Sequence, residues 1–304
     1  MKKLFINCFE KILTIRKIEE QLALKFKEKK NSSFLHLSIG QEGSATGVCL
    51  ALDKKDIVFG NHRSHGHYIA KGGNISKLIF EVFGDKRGCC KGYGGSMHML
   101  DRSVGFEGST PILGSVPSIV AGMSMDLKNK NAIAVGFIGD GSAEEGTFYE
   151  TVNLATVHRL PMLIVVEDNG YSVEVSRNQR KSVKYDLSKI INGIGALYSE
   201  TDGQDVIKVY DCVTLIKKQI LKKKKPAVLR LKLLRKSAHS GPESDIKSKY
   251  RRESHILHNK NDPIKILKIK LSKYLSKRKI DMIEIDILKS VEKQFYKTYK
   301  KIRF

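Results

Sequence analysis

Residues 131–169 alternate between short apolar runs and one amphipathic stretch, and this alternation leaves few architectures open. AIAVGFI at 132–138 reads as a buried strand, GDGSAEEG at 139–146 as a turn, TFYETVNLATVHRL at 147–160 as a helix, and MLIVV at 162–166 as a second buried strand. Strands apolar on both faces belong in a parallel sheet, where helices cover the two sides. VLRLKLL at 228–234, preceded by Pro226 and a lysine-rich helical stretch, continues the alternation. The expected fold class is therefore α/β, with a mainly parallel sheet flanked by helices.

Two helices are expected before this unit. Phe5, Phe9, Ile12, Ile15, Ile18, Leu22 and Phe26 recur every three or four residues and form one apolar stripe. Residues 40–52 are rich in small side chains (Gly43, Ala45, Gly47), which permits close packing against another backbone. A histidine cluster at 61–73 and a glycine-rich loop at 87–99 follow, and loops of the latter kind commonly line ligand sites.

Composition narrows the function classes. No run of eighteen apolar residues occurs, so neither membrane spanning nor secretion is expected, and an N-terminus that starts as helix is not expected to be a presequence. The five cysteines include no CxxC pair, so a reducing cytoplasm is expected. The net charge of +23 is spread along the chain, mostly as lysine beside helical apolar spacing, and so reads as solvated helix faces, not a nucleic-acid stripe.

In open parallel sheets, ligands sit beyond the carboxyl ends of the strands, here after Ile138, Val166 and Leu234. Gly139-Asp140-Gly141 opens a helix whose free N–H groups favour a phosphate, yet Asp140 repels one. A divalent cation such as Mg²⁺ removes the conflict by bridging carboxylate and diphosphate oxygens. Asn169 ends the next strand 29 residues later and supplies a second oxygen. The competing reading is a dinucleotide site with Glu167 or Asp168 on the ribose of NAD, but the loop lacks a third glycine and carries Asp140, Glu144 and Glu145.

The segment GDGSAEEGTFYETVNLATVHRLPMLIVVEDNGYS resembles the thiamine-diphosphate motif of the alpha subunits of pyruvate, branched-chain 2-oxo acid and acetoin dehydrogenases. FLHLSIGQE, HRSHGH, KGYGGSMHM, PILGSVPSIVAG and YRRESHILHNKNDPI are similar to further blocks of that family in the same order. The resemblance spans roughly 4–267. It implies the thiamine-diphosphate-binding fold, an alpha-subunit domain at 1–265 and a lysine-rich helical tail at 266–304.

Carried over residue by residue, the resemblance makes Asp140, Asn169 and the main-chain oxygen of Tyr171 the magnesium ligands, and Gly141 and Ser142 donors to the diphosphate. It places Arg63 and Arg235 on phosphate oxygens, His62 beside them where some relatives have tyrosine, and Pro111 and Leu113 against the aminopyrimidine. His239 becomes the acid or base near the reacting carbon or a phosphate-binding loop histidine, and His36 faces the substrate. The other histidines, His255 and His258 among them, are assigned structural or surface roles.

The activity so implied is decarboxylation of a pyruvate-like 2-oxo acid and transfer of the acyl group to lipoamide. It requires a separate beta subunit to supply a catalytic glutamate, a heterotetramer of two alpha and two beta chains, and a lipoyl acyltransferase core. The alternatives are an acetoin-cleaving enzyme of the same fold and a scaffold that has lost catalysis. His62, Ser237 and Asp168, which depart from the commoner family residues, open the second of these.

Overall fold

The computed structural model describes residues 1–28, 34–243, 250–251 and 261–302. The apolar stripe of the first residues forms α1 (Lys2–Glu28), and α2 (Glu42–Leu50) is the expected small-residue helix. Then come β1 (Ile57–Gly60), α3 (His65–Lys71), α4 (Ile75–Val82), β2 (Phe106–Ser109) and α5 (Val116–Leu127). The central unit is β3 (Ala134–Gly139), α6 (Gly146–Val157) and β4 (Met162–Asp168). It is followed by the short strands β5 (Tyr171–Ser172) and β6 (Val175–Ser176), then α7 (Arg177–Arg180) and α8 (Leu187–Ile194). Next are β7 (Leu197–Asp202), α9 (Val206–Lys223) and β8 (Ala227–Lys232), and helices Pro263–Leu271 and Lys277–Tyr299 close the described chain.

Six strands form one sheet in the order β2-β1-β3-β4-β8-β7, and every pairing is parallel. Side chains alternate between the two faces of a strand, so β3 sends Val135 and Phe137 into one core and Ala134 and Ile138 into the other. The first core is closed by α1, α3, α4 and α9, the second by α5, α6 and α8. Alignment of β3 with β4, Gly139 opposite Glu167, puts the loops after both strands at one edge of the sheet. Asp140 and Asn169 therefore meet there, as their spacing anticipates.

Three strands of this sheet were not read from the sequence: β1, β2 and β7. The last is the edge strand LYSETD, whose half-exposed, polar side chains carry no buried-strand signal. The C-terminal helix also packs more intimately than a lysine-rich tail implies: it lays Val291 and Phe295 into the same core as α1 and α4. Among the described residues no helix is long and apolar enough to cross a membrane, and all five cysteines are free thiols.

Candidate active site

At the carboxyl edge of the sheet lies a cavity lined by the loops after β3, β4 and β8 and by the segment between β1 and α3. Ten of the residues named from the sequence line it: His62, Arg63, Leu113, Asp140, Gly141, Ser142, Asn169, Tyr171, Arg235 and His239. Gly139 of the expected phosphate loop and Glu167 of the competing NAD reading line it too, and Gln41, Asn61, Ser172 and Val173, which were not assigned to it in advance, complete the lining. Pro111 does not line it. His36 stands just behind the wall, its ring edge-on to His62 at 4.7 Å and to His239 at 5.4 Å. Most of YRRESHILHNKNDPI, including His255 and His258, lies outside the described residues.

The floor is built by backbone. Gly141 admits no side chain, because an added Cβ would meet Ser172 Oγ at 2.5 Å. The Ser142 hydroxyl is buried and has no partner among the described residues, so it is available to a ligand oxygen. Asn169 Oδ1 accepts a hydrogen bond from the Tyr171 N–H at 3.1 Å, which turns the chain and leaves a second lone pair on the amide oxygen. This donor set of a buried carboxylate, an amide oxygen and an orphan hydroxyl beside a helix start suits a hard divalent cation carrying a diphosphate.

Asp140 is not bare. Arg180 of α7 donates from Nη2 to Asp140 Oδ2 at 2.5 Å and from Nη1 to Glu144. Burial and the neighbouring Asp168 push the Asp140 carboxyl upward, and Arg180 works against both. Asp168, one residue before Asn169, is matched by Arg230 (Nε to Oδ2, 2.7 Å) and Arg177 (3.1 Å). A spacing signal existed in Arg177-x-x-Arg180, but no sequence rule says which carboxylates such a pair will meet.

The opposite wall is cationic. Arg63 donates to the carbonyls of Leu37 (2.5 Å) and His239 (2.8 Å), and Arg235 to the carbonyl of Ser237 (3.1 Å) and the Tyr250 hydroxyl (2.5 Å). Burial first, and the Arg63 guanidinium second, push His36 down to about 3 and His62 well below the ordinary histidine value. Both imidazoles are thus neutral at pH 7. His36 therefore meets a substrate as a neutral ring, able to donate or accept a hydrogen bond.

Glu167 is unavailable to a ribose. Burial alone would raise its carboxyl, but His67 (3.2 Å) and hydrogen bonds from Ser44 (2.7 Å) and Asn61 outweigh burial and hold it below the usual range. With Asp168 also taken by two arginines, neither acid read as a possible NAD ligand is free to serve as one.

The fold and cavity define a class: an open parallel α/β protein whose polar cavity, at the carboxyl ends of its central strands, suits a diphosphate cofactor. Comparison with known proteins gives the family. The profile of the dehydrogenase E1 component family matches residues 10–302, and the chain belongs to that thiamine-diphosphate-dependent family, on the side of its alpha subunits. It is 32% identical to the alpha subunit of acetoin:2,6-dichlorophenolindophenol oxidoreductase from Bacillus subtilis, over 94% of this chain and 86% of that one. It is 30% identical to the pyruvate dehydrogenase E1 alpha subunit of Rickettsia bellii, over 96% and 90% respectively. To the human somatic mitochondrial counterpart it is 27% identical, over 94% of this chain and 73% of the human one.

Proposed function

We propose that this chain, joined to a separate beta subunit in a heterotetramer of two alpha and two beta chains, decarboxylates a pyruvate-like 2-oxo acid and passes the acyl group to lipoamide on an acyltransferase core in the cytoplasm. The observation that carries the reading is the meeting of Asp140, Asn169 and the orphan Ser142 hydroxyl at adjacent strand ends, in a chain of the dehydrogenase E1 family.

In this reading Asp140, Asn169 and the Tyr171 carbonyl hold Mg²⁺, while Gly141, Ser142, His62, Arg63 and Arg235 hold the diphosphate. Leu113 packs beside the aminopyrimidine. When bound, thiamine diphosphate supplies the thiazolium carbon that adds to the keto group and accepts the electrons left by carbon dioxide. His36 and His239 orient the substrate carboxylate and carbonyl, His239 moving the proton where one is needed. The beta subunit supplies the glutamate that this chain does not bring to the cavity's described lining apart from the sequestered Glu167.

Similarity to two acetoin:2,6-dichlorophenolindophenol oxidoreductase alpha subunits supports a second reading, cleavage of acetoin on the same cofactor. All diphosphate contacts are common to both.

Titration calorimetry of the chain co-expressed with its beta subunit tests the cofactor. Saturable binding of thiamine diphosphate that depends on magnesium, and a loss of at least a hundredfold in affinity for Asp140→Ala, are expected. A folded heterotetramer that binds nothing would overturn the assignment. Dye-linked turnover of pyruvate against acetoin then separates the two substrates.

A further inference from the structure

Arg180 is held more firmly than a surface arginine. Its Nε donates to the Val175 carbonyl at 3.1 Å, Nη2 to Asp140 at 2.5 Å and Nη1 to Glu144, and its side chain is only 11% exposed. The guanidinium spreads over the loop at Gly141, where an added Cβ would come within 3.8 Å of Nη1. Lys181 approaches Glu144 at 3.3 Å, and Arg177 and Arg230 cover Asp168. Every carboxylate in this group is therefore already matched by a cation.

This arrangement has a consequence for how a metal enters. A bare dication finds no uncompensated negative charge among Asp140, Glu144 and Asp168, and to bind Asp140 it must share the carboxylate with a guanidinium that already holds Oδ2. Arg63 and Arg235 on the opposite wall add to the repulsion. An accompanying diphosphate reverses the balance, because its oxygens supply negative charge to the metal and to the arginines together.

Resting on the reading of Asp140 as metal ligand, we propose that Arg180 guards the metal position: it refuses a divalent cation alone and admits one in company with a diphosphate. Arg180 is thus a residue that sets the ligand specificity of the site, acting through Asp140 and Glu144. The departure Asp168 belongs to the same device, since an extra carboxylate without Arg177 and Arg230 would attract the bare cation.

The test uses Mn²⁺ as a paramagnetic stand-in for Mg²⁺, with free Mn²⁺ read by electron paramagnetic resonance on the full chain in complex with its beta subunit and compared with protein-free mixtures. Wild type is expected to bind Mn²⁺ at least tenfold more weakly alone than with inorganic diphosphate or thiamine diphosphate. Arg180→Gln should bind Mn²⁺ alone at least tenfold more tightly than wild type, and Arg180→Lys should fall between. The guard is refuted if Arg180→Gln leaves the affinity for Mn²⁺ alone unchanged or weaker while Mn²⁺ with thiamine diphosphate still binds. Equal affinity of wild type for Mn²⁺ with and without diphosphate refutes it without any variant. If wild type retains no Mn²⁺ even with thiamine diphosphate, the metal site itself falls, and the guard with it.

Discussion

Single residues made this site legible to different degrees. Asp140 and Asn169 were readable because a carboxylate and an amide at the ends of consecutive parallel strands must come together whatever the rest of the chain does. His36 and His62 were readable as site residues, but their ionisation was not, since it is set by burial and by Arg63, which only the folded chain brings close. That ionisation yields a prediction. The unfolded chain protonates these histidines near the ordinary value of about 6.5. The folded chain resists protonation until far lower pH, so below about 6.5 the unfolded state binds more protons and stability falls. The stabilising contribution is whole above the ordinary value and is lost progressively as pH drops toward 3 for His36, at up to about 1.4 kcal/mol per pH unit for each histidine. Thermal melts from pH 8 to pH 5 should therefore show a falling midpoint, with a shallower fall in His36→Gln and His62→Gln. An unaltered slope in both variants would mean that the two rings are solvated or charged in the folded protein.

Elements were legible where burial enforces a pattern. Strands β3, β4 and β8 announce themselves as apolar runs, whereas β7 at the sheet edge and the β5–β6 pair are written in polar residues that only their neighbours turn into strands. The small-residue stretch at 40–52 carried a packing expectation, and α2 indeed lies against α9 closely enough that a Cβ on Gly47 would sit 2.6 Å from Val209 Cβ. Glycine is thus required there by space, not by backbone angle. For Gly47→Ala the gain in helix propensity, about 1 kcal/mol, is set against an overpacking cost of about 1–3 kcal/mol. The backbone of Val206 at 2.8 Å cannot give way, so a net loss is expected. Gly193 in α8 is the control: it is exposed and an added Cβ meets nothing within 4 Å, so Gly193→Ala should raise the melting temperature where Gly47→Ala lowers it. Equal shifts in the two variants would show that α2 and α9 are not in close contact.

At the scale of the whole molecule, the lysine-rich end of the chain is where charge composition and packing give opposing impressions. Its many lysines suggest a solvated appendage, and the resemblance to the family's sequence blocks, which ends near 267, leaves the stretch outside the alpha-subunit domain. Helix Lys277–Tyr299 nevertheless buries Phe295 completely and Val291 nearly so, and sets Tyr299 edge-on to Phe83 at 5.1 Å. Polar contacts fasten it on both sides: Lys17 to Glu292 at 3.0 Å on α1, and Ser76 to Thr298 at 2.9 Å on α4. The exposed ion pair contributes little, about 0–1 kcal/mol, so the apolar contacts decide the matter. Burying two such side chains is worth about 3–6 kcal/mol, against a net stability of about 5–15 kcal/mol for a typical domain. Removing residues 277–304 would also uncover the apolar faces of α1 and α4 against which they pack. The truncated chain should therefore aggregate, or melt at least 10 °C lower when co-expressed with its beta subunit, as checked by scanning calorimetry. A truncated heterotetramer with an unshifted melting temperature would show instead that the helix is an appendage, and that the core shared by α1, α4 and the sheet closes without it.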